Sequence, residues 1–131
     1  MTVNDLAWLA GFFEGEGSVG CYRRRDKING HINRSFSFNV SISQKDRAIL
    51  EWIKRDFYGT ISYMGHLSSL GTHIWRWDCR SSYARRFLEA VQPYLRTRRK
   101  LRQIKTAFSR MKKWRKHEKR TSTRSAYATK I

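Results

Sequence analysis

Eight consecutive residues near the start of the chain, Leu6 to Phe13 in the stretch LAWLAGFFEGEGS, carry no polar group beyond an indole N–H. Wound into a helix, such a run puts apolar groups all round the cylinder, and a helix of that kind needs cover on every side. Ala7, Ala10, Gly11 and Gly15 recur at spacings of three and four, so one face is made of small residues. Small side chains at that spacing let two helix backbones come close. The pattern therefore asks for a second helix along Ala7, Ala10 and Gly11. Glu14-Gly15-Glu16-Gly17 follows, where the glycines are expected to end the helix through positive φ.

The two carboxylates stand where a helix does not want them. A helix C-terminus carries partial negative charge and prefers Lys or Arg. The chain has 28 Lys and Arg and only 10 Asp and Glu, so basic residues were plentiful. Acids at that position fit a bound cation, and a hard divalent ion is the natural one for carboxylate oxygen. The other reading of Glu14 and Glu16 is a pair of solvated loop acids balanced by nearby arginines.

The stretch LAGFFEGEGS resembles the LAGLIDADG motif of homing endonucleases. Leu9 to Gly17 match in order, with Phe12 and Phe13 at the two variable apolar positions and Glu where the motif name has Asp. The exchange keeps the charge and adds one methylene of reach.

The totals fit such a protein. A chain of 131 residues suits one domain, expected here over 2–114 with a basic tail at 115–131. A net charge of +18 and a pI near 10.8 imply a polyanionic partner. An aromatic content of 14% argues against a disordered basic tail protein. Cys21 and Cys79 have neither zinc spacing nor a disulfide-framework count and read as small core residues in a reducing compartment. The apolar run is too short to cross a bilayer and lacks a basic leader, so an intracellular setting, cytoplasm or organelle, with no membrane partner is expected.

Along the chain, Thr2 and Asp5 form a T-x-x-D box that starts the first helix at Val3 or Asn4. After Gly17 the period changes to two: Val19 and Cys21 point one way, Gly20, Tyr22 and Arg24 the other. Asp26 to Asn33, with Asn29-Gly30, reads as a hairpin loop. From 35 to 43, Phe36, Phe38, Val40 and Ile42 form one face and Ser35, Ser37, Asn39, Ser41 and Ser43 the other. That small polar face fits either the solvated side of an antiparallel sheet or a surface laid against base edges. The charge of the chain favours the second.

Ser43 and Asp46 suggest a second capping box, before a helix with Ile49, Leu50, Ile53 and Phe57 inward, and Gly59 ends it. Thr60 to Met64 and Thr72 to Cys79 read as strands, joined by a loop with Gly65, Ser68, Ser69 and Gly71. Trp75, Trp77 and Cys79 share a core face. Ser81 or Ser82 caps a third helix with Tyr83, Phe87, Leu88 and Val91 inward, ending before Pro93. A last helix runs from about Leu95 to Trp114 on Leu101, Ile104, Phe108 and Met111, before a patternless tail from Thr121. Between Arg96 and Arg120 lie 13 Lys or Arg and one Glu, a density suited to phosphate contacts.

The fold class is therefore α+β in the order αββαββα, which is also the homing-endonuclease fold that the resemblance implies, with a four-stranded antiparallel sheet forming a saddle on double-stranded DNA. A single motif implies a homodimer meeting along Ala7, Ala10 and Gly11, with the two copies of Glu16 side by side. The resemblance further implies Mg²⁺, or another divalent ion such as Mn²⁺, held by Glu16 and the Gly15 carbonyl. Glu14 is expected to orient the helix end. The family's strand-end Gln falls at Gln44. The basic residue of its P-x-L-x-x-K segment falls at Arg98, with Lys100 close by, so Glu16, Gln44, Arg98 and Lys100 form the expected catalytic set. Arginine cannot titrate, which limits Arg98 to charge stabilisation. Base reading is expected from Tyr22, Arg24, Ser37, Asn39, Ser41, Ser62, Ile74, Arg76 and Asp78. The implied function is sequence-specific, metal-dependent cutting of both DNA strands at a long, roughly palindromic site, of the intron- or intein-homing type. The alternative is a non-catalytic binder of the same fold, such as an RNA maturase. A ribosomal-type basic protein would explain the charge but not the apolar helix with its acidic end.

Overall fold

The computed structural model describes residues 1–66 and 71–128, with the side chains of 24–26, 28, 31–34, 66 and 117–128 outside the description. Helix α1 (Val3–Glu16) starts as T-x-x-D predicts. The Asp5 N–H donates to the Thr2 hydroxyl at 3.1 Å and the Thr2 N–H donates to the Asp5 carboxylate at 3.0 Å. Its end differs from expectation. Gly15 is helical and Gly17 is extended at φ −95, so neither supplies a positive φ. Gly17 is glycine for a steric reason, because a Cβ there would run into the Phe13 ring.

Strands β1 (Gly17–Ile28) and β2 (His31–Gln44) form one long hairpin. The loop expected over 26–33 shrinks to Asn29-Gly30, at φ 52 and 78, a turn whose twist matches that of the strands it joins. The Ser43–Asp46 box does not form, since β2 keeps Ser43 in its ladder opposite Arg76. Asp46 alone caps α2 (Arg47–Phe57), accepting from the Ala48 N–H at 3.0 Å. Tyr58 (φ 61) and Gly59 (φ 91) turn the chain into β3 (Thr60–His66). Of the loop expected next, Ser68 and Ser69 lie outside the described residues.

Strand β4 (His73–Arg80) leads into α3 (Ser81–Val91), which neither Ser81 nor Ser82 caps. Tyr83, expected inward, is exposed and lies 5.5 Å from the exposed Tyr58, while Ala84 takes the inward place. After a 3₁₀ turn (Gln92–Tyr94), α4 begins at Arg98 and continues to Ala128. It therefore passes through the stretch read as a patternless tail. No helix among the described residues is long and apolar enough to cross a membrane.

The sheet is antiparallel in the order β1-β2-β4-β3, with the helices on one face and the other face open. Phe38, Val40, Ile42, Trp77 and Cys79 point to the helices and are buried with Leu9, Phe13, Leu50, Ile53, Phe57, Leu88 and Val91. Phe87 ties the layers together, packing on Phe13 at 5.3 Å, Phe57 at 5.1 Å and Trp77 at 5.1 Å. Helix α4 braces the long hairpin: Phe108 meets Phe38 at 5.3 Å, and the Arg23 guanidinium lies 4.9 Å above the Trp114 ring. Both cysteines are buried free thiols, and burial pushes Cys79 up to about 12, with Asp78 adding to it.

Gly59 holds β3 against β4, and there a Cβ would meet the Asp78 carbonyl at 2.5 Å and the Trp77 indole nitrogen at 2.8 Å. Gly65 also has positive φ (83), but a Cβ there would meet nothing within 4 Å. Gly59→Ala is expected to lower unfolding free energy by about 2–3 kcal/mol, and Gly65→Ala by about 1 kcal/mol. Equal losses in urea titrations of the two variants would refute the close packing of Gly59.

Candidate functional site

The last turn of α1 meets the start of β1, the end of β2 and the approach to α4. Glu14 points at the last of these. Its carboxylate accepts the backbone N–H of Arg96 at 2.6 Å and of Thr97 at 3.0 Å, immediately before α4. A negative charge is favoured at a helix N-terminus, so an acid misplaced on α1 is well placed for α4. Burial pushes the Glu14 carboxyl up, but the N–H groups of Arg96 and Thr97, with Lys100 nearby, outweigh it and leave the pKa lowered.

Lys100 comes to the same place from α4. It is only 6% exposed, donates from Nζ to the Gly17 carbonyl at 2.7 Å and lies 5.0 Å from the centre of the Phe13 ring. Burial lowers its pKa, Arg99 adds to that, and Glu14 opposes it. Glu14 and Lys100 thus hold the segment 14–17 from both sides.

Glu16, between them in sequence, is exposed and has no ion pair or hydrogen bond among the described residues. An unpaired carboxylate in so basic a chain suits a cation. The Gly15 carbonyl, in the last turn, lies beyond the reach of intrahelical donors and is a suitable second oxygen. Among the described residues no three His, Cys, Asp or Glu gather at one point.

The other expected catalytic residues separate. Gln44 closes β2 at this same end, half-buried and paired with Trp75 on the helix side of the sheet. Arg98 is exposed and lines a cleft of about 500 Å³ between α4 and β1, with Arg99, Arg102 and Arg110. Lys100 and Arg98, two residues apart, therefore have different surroundings.

The positions expected to read bases do share a face. Ladder partners place Tyr22 beside Ser37 and Arg24 beside Ser35. Asn39 lies between Gly20 and Arg80, Ser41 between Ser18 and Asp78, and Arg76 between Ser43 and Ser62. Those with described side chains lie on the open side, because Phe38, Val40, Ile42, Trp77 and Cys79 occupy the other. Ile74 keeps the same alternation at the start of β4, half-buried. The Arg24 side chain is outside the description. Ser41 is 8% exposed and offers little surface, a departure from its expected role. Tyr22 is 55% exposed and lies over Gly20, where a Cβ would strike its ring. Three further face residues, Ser18, Thr60 and Arg80, were missed. Period two would have found all three: Ser18 and Arg80 one step past the expected strand ends, and Thr60 two residues before the outward Ser62.

Helix α1 is not covered all round. Leu9, Ala10 and Phe13 are fully buried, while Val3 is 64% and Trp8 51% exposed, and Ala7, Gly11 and Gly15 are exposed beside them. Ala10 was expected on the small-residue face; it turns into the protein's own core and has no surface left for another chain. The open stripe is spaced by four, Ala7, Gly11 and Gly15, and a Cβ at Gly11 or Gly15 would meet nothing within 4 Å.

Comparison with known proteins bears on this site. A family model described as LAGLIDADG endonuclease matches residues 9–114. Among solved structures, the group I intron-encoded homing endonuclease I-CeuI complexed with DNA is similar at 19% identity and a TM-score of 0.57, over 82% of this chain and 54% of that one. The LAGLIDADG meganuclease I-AabMI bound to uncleaved DNA is similar at 25% identity and a TM-score of 0.50, over 70% of this chain and 30% of that one. The LAGLIDADG homing endonuclease I-GzeII in complex with a DNA target is similar at 20% identity and a TM-score of 0.50, over 68% of this chain and 28% of that one. The chain thus spans between 28% and 54% of the length of these three structures. No curated protein matches it.

The Glu14 link gives a pH dependence. Its pKa is lower in the folded chain, so its contribution to stability is complete above the ordinary value of 4.5 and is lost as pH falls through the folded value. Glu14→Gln should cost about 1 kcal/mol at pH 7 and flatten the acid limb of a stability-versus-pH curve. An unchanged acid limb in chemical denaturation would show that Glu14 does not anchor α4.

Proposed function

The chain belongs to the LAGLIDADG endonuclease family, and on that premise we propose that it is a sequence-specific, divalent-metal-dependent endonuclease that breaks both strands of a long, roughly palindromic DNA site, as intron- or intein-encoded homing enzymes do. The observation that carries this reading is Glu16: an exposed, unpaired carboxylate at the end of a helix whose neighbours on both sides are held in place.

Among the described residues one chain has one such carboxylate at a helix end, and the open Ala7, Gly11, Gly15 stripe of α1 fits a second copy about a two-fold axis. An isologous contact along that stripe would bring the two copies of Glu16 together beneath the centre of the duplex. Two like charges so close favour cations between them. Glu16 and the Gly15 carbonyl would hold Mg²⁺, with Mn²⁺ as a substitute. Divalent ions there supply an activated water, neutralise charge on the phosphoryl oxygens and assist the leaving oxygen.

The chain's own residues then divide the remaining work. Lys100, buried on the Gly17 carbonyl, acts as a positioning residue that fixes the segment carrying Glu16. Glu14 does the same from the α4 side. Arg98, exposed and permanently charged, is free to neutralise a phosphate near the scissile bond. Gln44 closes β2 at the same end of the sheet, half-buried on its helix side, and is suited to orient water. The outer face of the sheet would lie in the major groove, which admits a β-surface and displays a distinct pattern for each base pair. The clustered arginines of α4 add phosphate contacts that set register and affinity.

Incubation with a randomised duplex library and Mg²⁺ should yield one cleaved sequence class, and Glu16→Gln should abolish cutting while binding persists. Its loss of rate should exceed the about 10–100-fold typical of removing an outer-shell partner of a metal. Binding without cutting by the wild-type protein would instead establish the non-catalytic binder. Gly11→Leu tests the dimer. It adds a side chain in open space within one chain and gains about 0.8 kcal/mol of helix propensity, so the protomer should stay folded while the dimer dissociates in sedimentation. A Gly11→Leu protein that remains dimeric would rule out this face.

A further inference from the structure

Among the described residues, the open face of the sheet carries a charge, Arg76, that the protein leaves unmatched. In β4, Arg76, Asp78 and Arg80 alternate outward. The Asp78 carboxylate lies 3.6 Å from Arg80 and accepts from the Thr60 hydroxyl at 3.5 Å. Arg76 has no ion pair or hydrogen bond among the described residues, and its Nε is buried without a partner. A guanidinium sealed at Nε and unpaired at its terminal nitrogens is an unfavourable arrangement for the free protein. Its row is otherwise low. Ser43 on β2 and Ser62 on β3 flank it, both exposed and both short, so Arg76 is the tallest group across the three strands there.

We propose that Arg76 is the guanine-reading residue of this sheet, its two terminal nitrogens donating to O6 and N7 of one guanine in each half-site. The proposal rests on the reading that the open face seats duplex DNA. A planar fork that presents two donors in fixed geometry matches the two acceptors guanine shows in the major groove, a pattern no other base presents. With Nε buried, only the terminal edge of the fork is left to bond. A central position on the sheet between two serines suits a base edge rather than a phosphate, which would need a group at the rim. Register also places the guanine. Ser43 is next to last in β2, and Ile42 pairs with Gly17, the residue after Glu16. Arg76 therefore sits at the Glu16 end of the sheet, and its guanine belongs to the inner part of each half-site. Tyr22 lies further along the hairpin and faces the outer part. Two-fold symmetry puts a guanine on one strand in one half and on the opposite strand in the other.

The test is binding-site selection from a randomised duplex pool with Ca²⁺ in place of Mg²⁺, read for the wild type, Arg76→Gln and Arg76→Lys. The wild type should enrich a symmetric pair of inner guanines. Arg76→Gln should lose the preference at that one column, moving toward adenine, with the other columns unchanged and the wild-type site bound about 10–100-fold more weakly. Arg76→Lys keeps the charge and loses the fork, so the same column should relax while the salt dependence of binding holds. An unchanged profile with uniformly weaker binding and a salt slope smaller by about one would make Arg76 a phosphate contact and overturn the assignment. If the wild type enriches no duplex, the DNA-binding reading itself falls and takes the assignment with it.

Discussion

The hydrogen bonds that hold the last turn of α1 are the constraint on which the rest of this structure depends. Glu14 reaches across 82 and 83 residues to the backbone of Arg96 and Thr97, and Lys100 returns to the Gly17 carbonyl. The first helix, the first strand and the last helix are joined at one point. Glu16 is presented from that point on a backbone that has little room to shift, since Phe13 fills the space beside Gly17. Any carboxylate that acts as a ligand has to be placed accurately, and packing against rigid elements does that better than a free loop.

The same economy appears in the sheet. Its helix side is packed by aromatic rings around Phe87, which leaves the other side free of any structural duty. That open side is lined by serines, threonine, asparagine and a few charges, short enough for a large flat partner to approach. The basic residues divide between the two layers. On the open side of the sheet Arg76 is flanked by serines and suited to discrimination. On α4, Arg98, Arg99, Arg102 and Arg110 line one cleft and are suited to adhesion. Adhesion by charge alone is insensitive to sequence, so the two layers answer different needs.

Much of this was legible in the chain. The T-x-x-D start, the period-two runs and the nine-residue motif gave the element order and the open face of the sheet. Errors gathered at element ends. Ser43 was read as a cap, yet β2 extends through it, because ladder bonds to β4 outweighed a local side-chain bond. Gly17 was assigned a backbone role, but it is required by a ring four residues earlier. Tyr83 and Ala84 exchanged places because a hydrophobicity pattern favours the larger apolar residue, whereas the space inside α3 admits the smaller one. The tail from Thr121 lacked apolar periodicity, yet helix α4 continues through it to Ala128.

The sequence by itself determined the fold class, the family motif and the side of the sheet that stays open, since each is written in a local period of two, three or four residues. Only the tertiary structure decided which face of α1 lacks cover, that Ala10 faces inward, that Lys100 rather than Arg98 lies against the Gly17 carbonyl, and that Arg76 has no counter-charge among the described residues. These depend on contacts between residues far apart in the chain. A local period fixes the direction of a side chain relative to its own element, and the packing of elements against one another fixes what it meets.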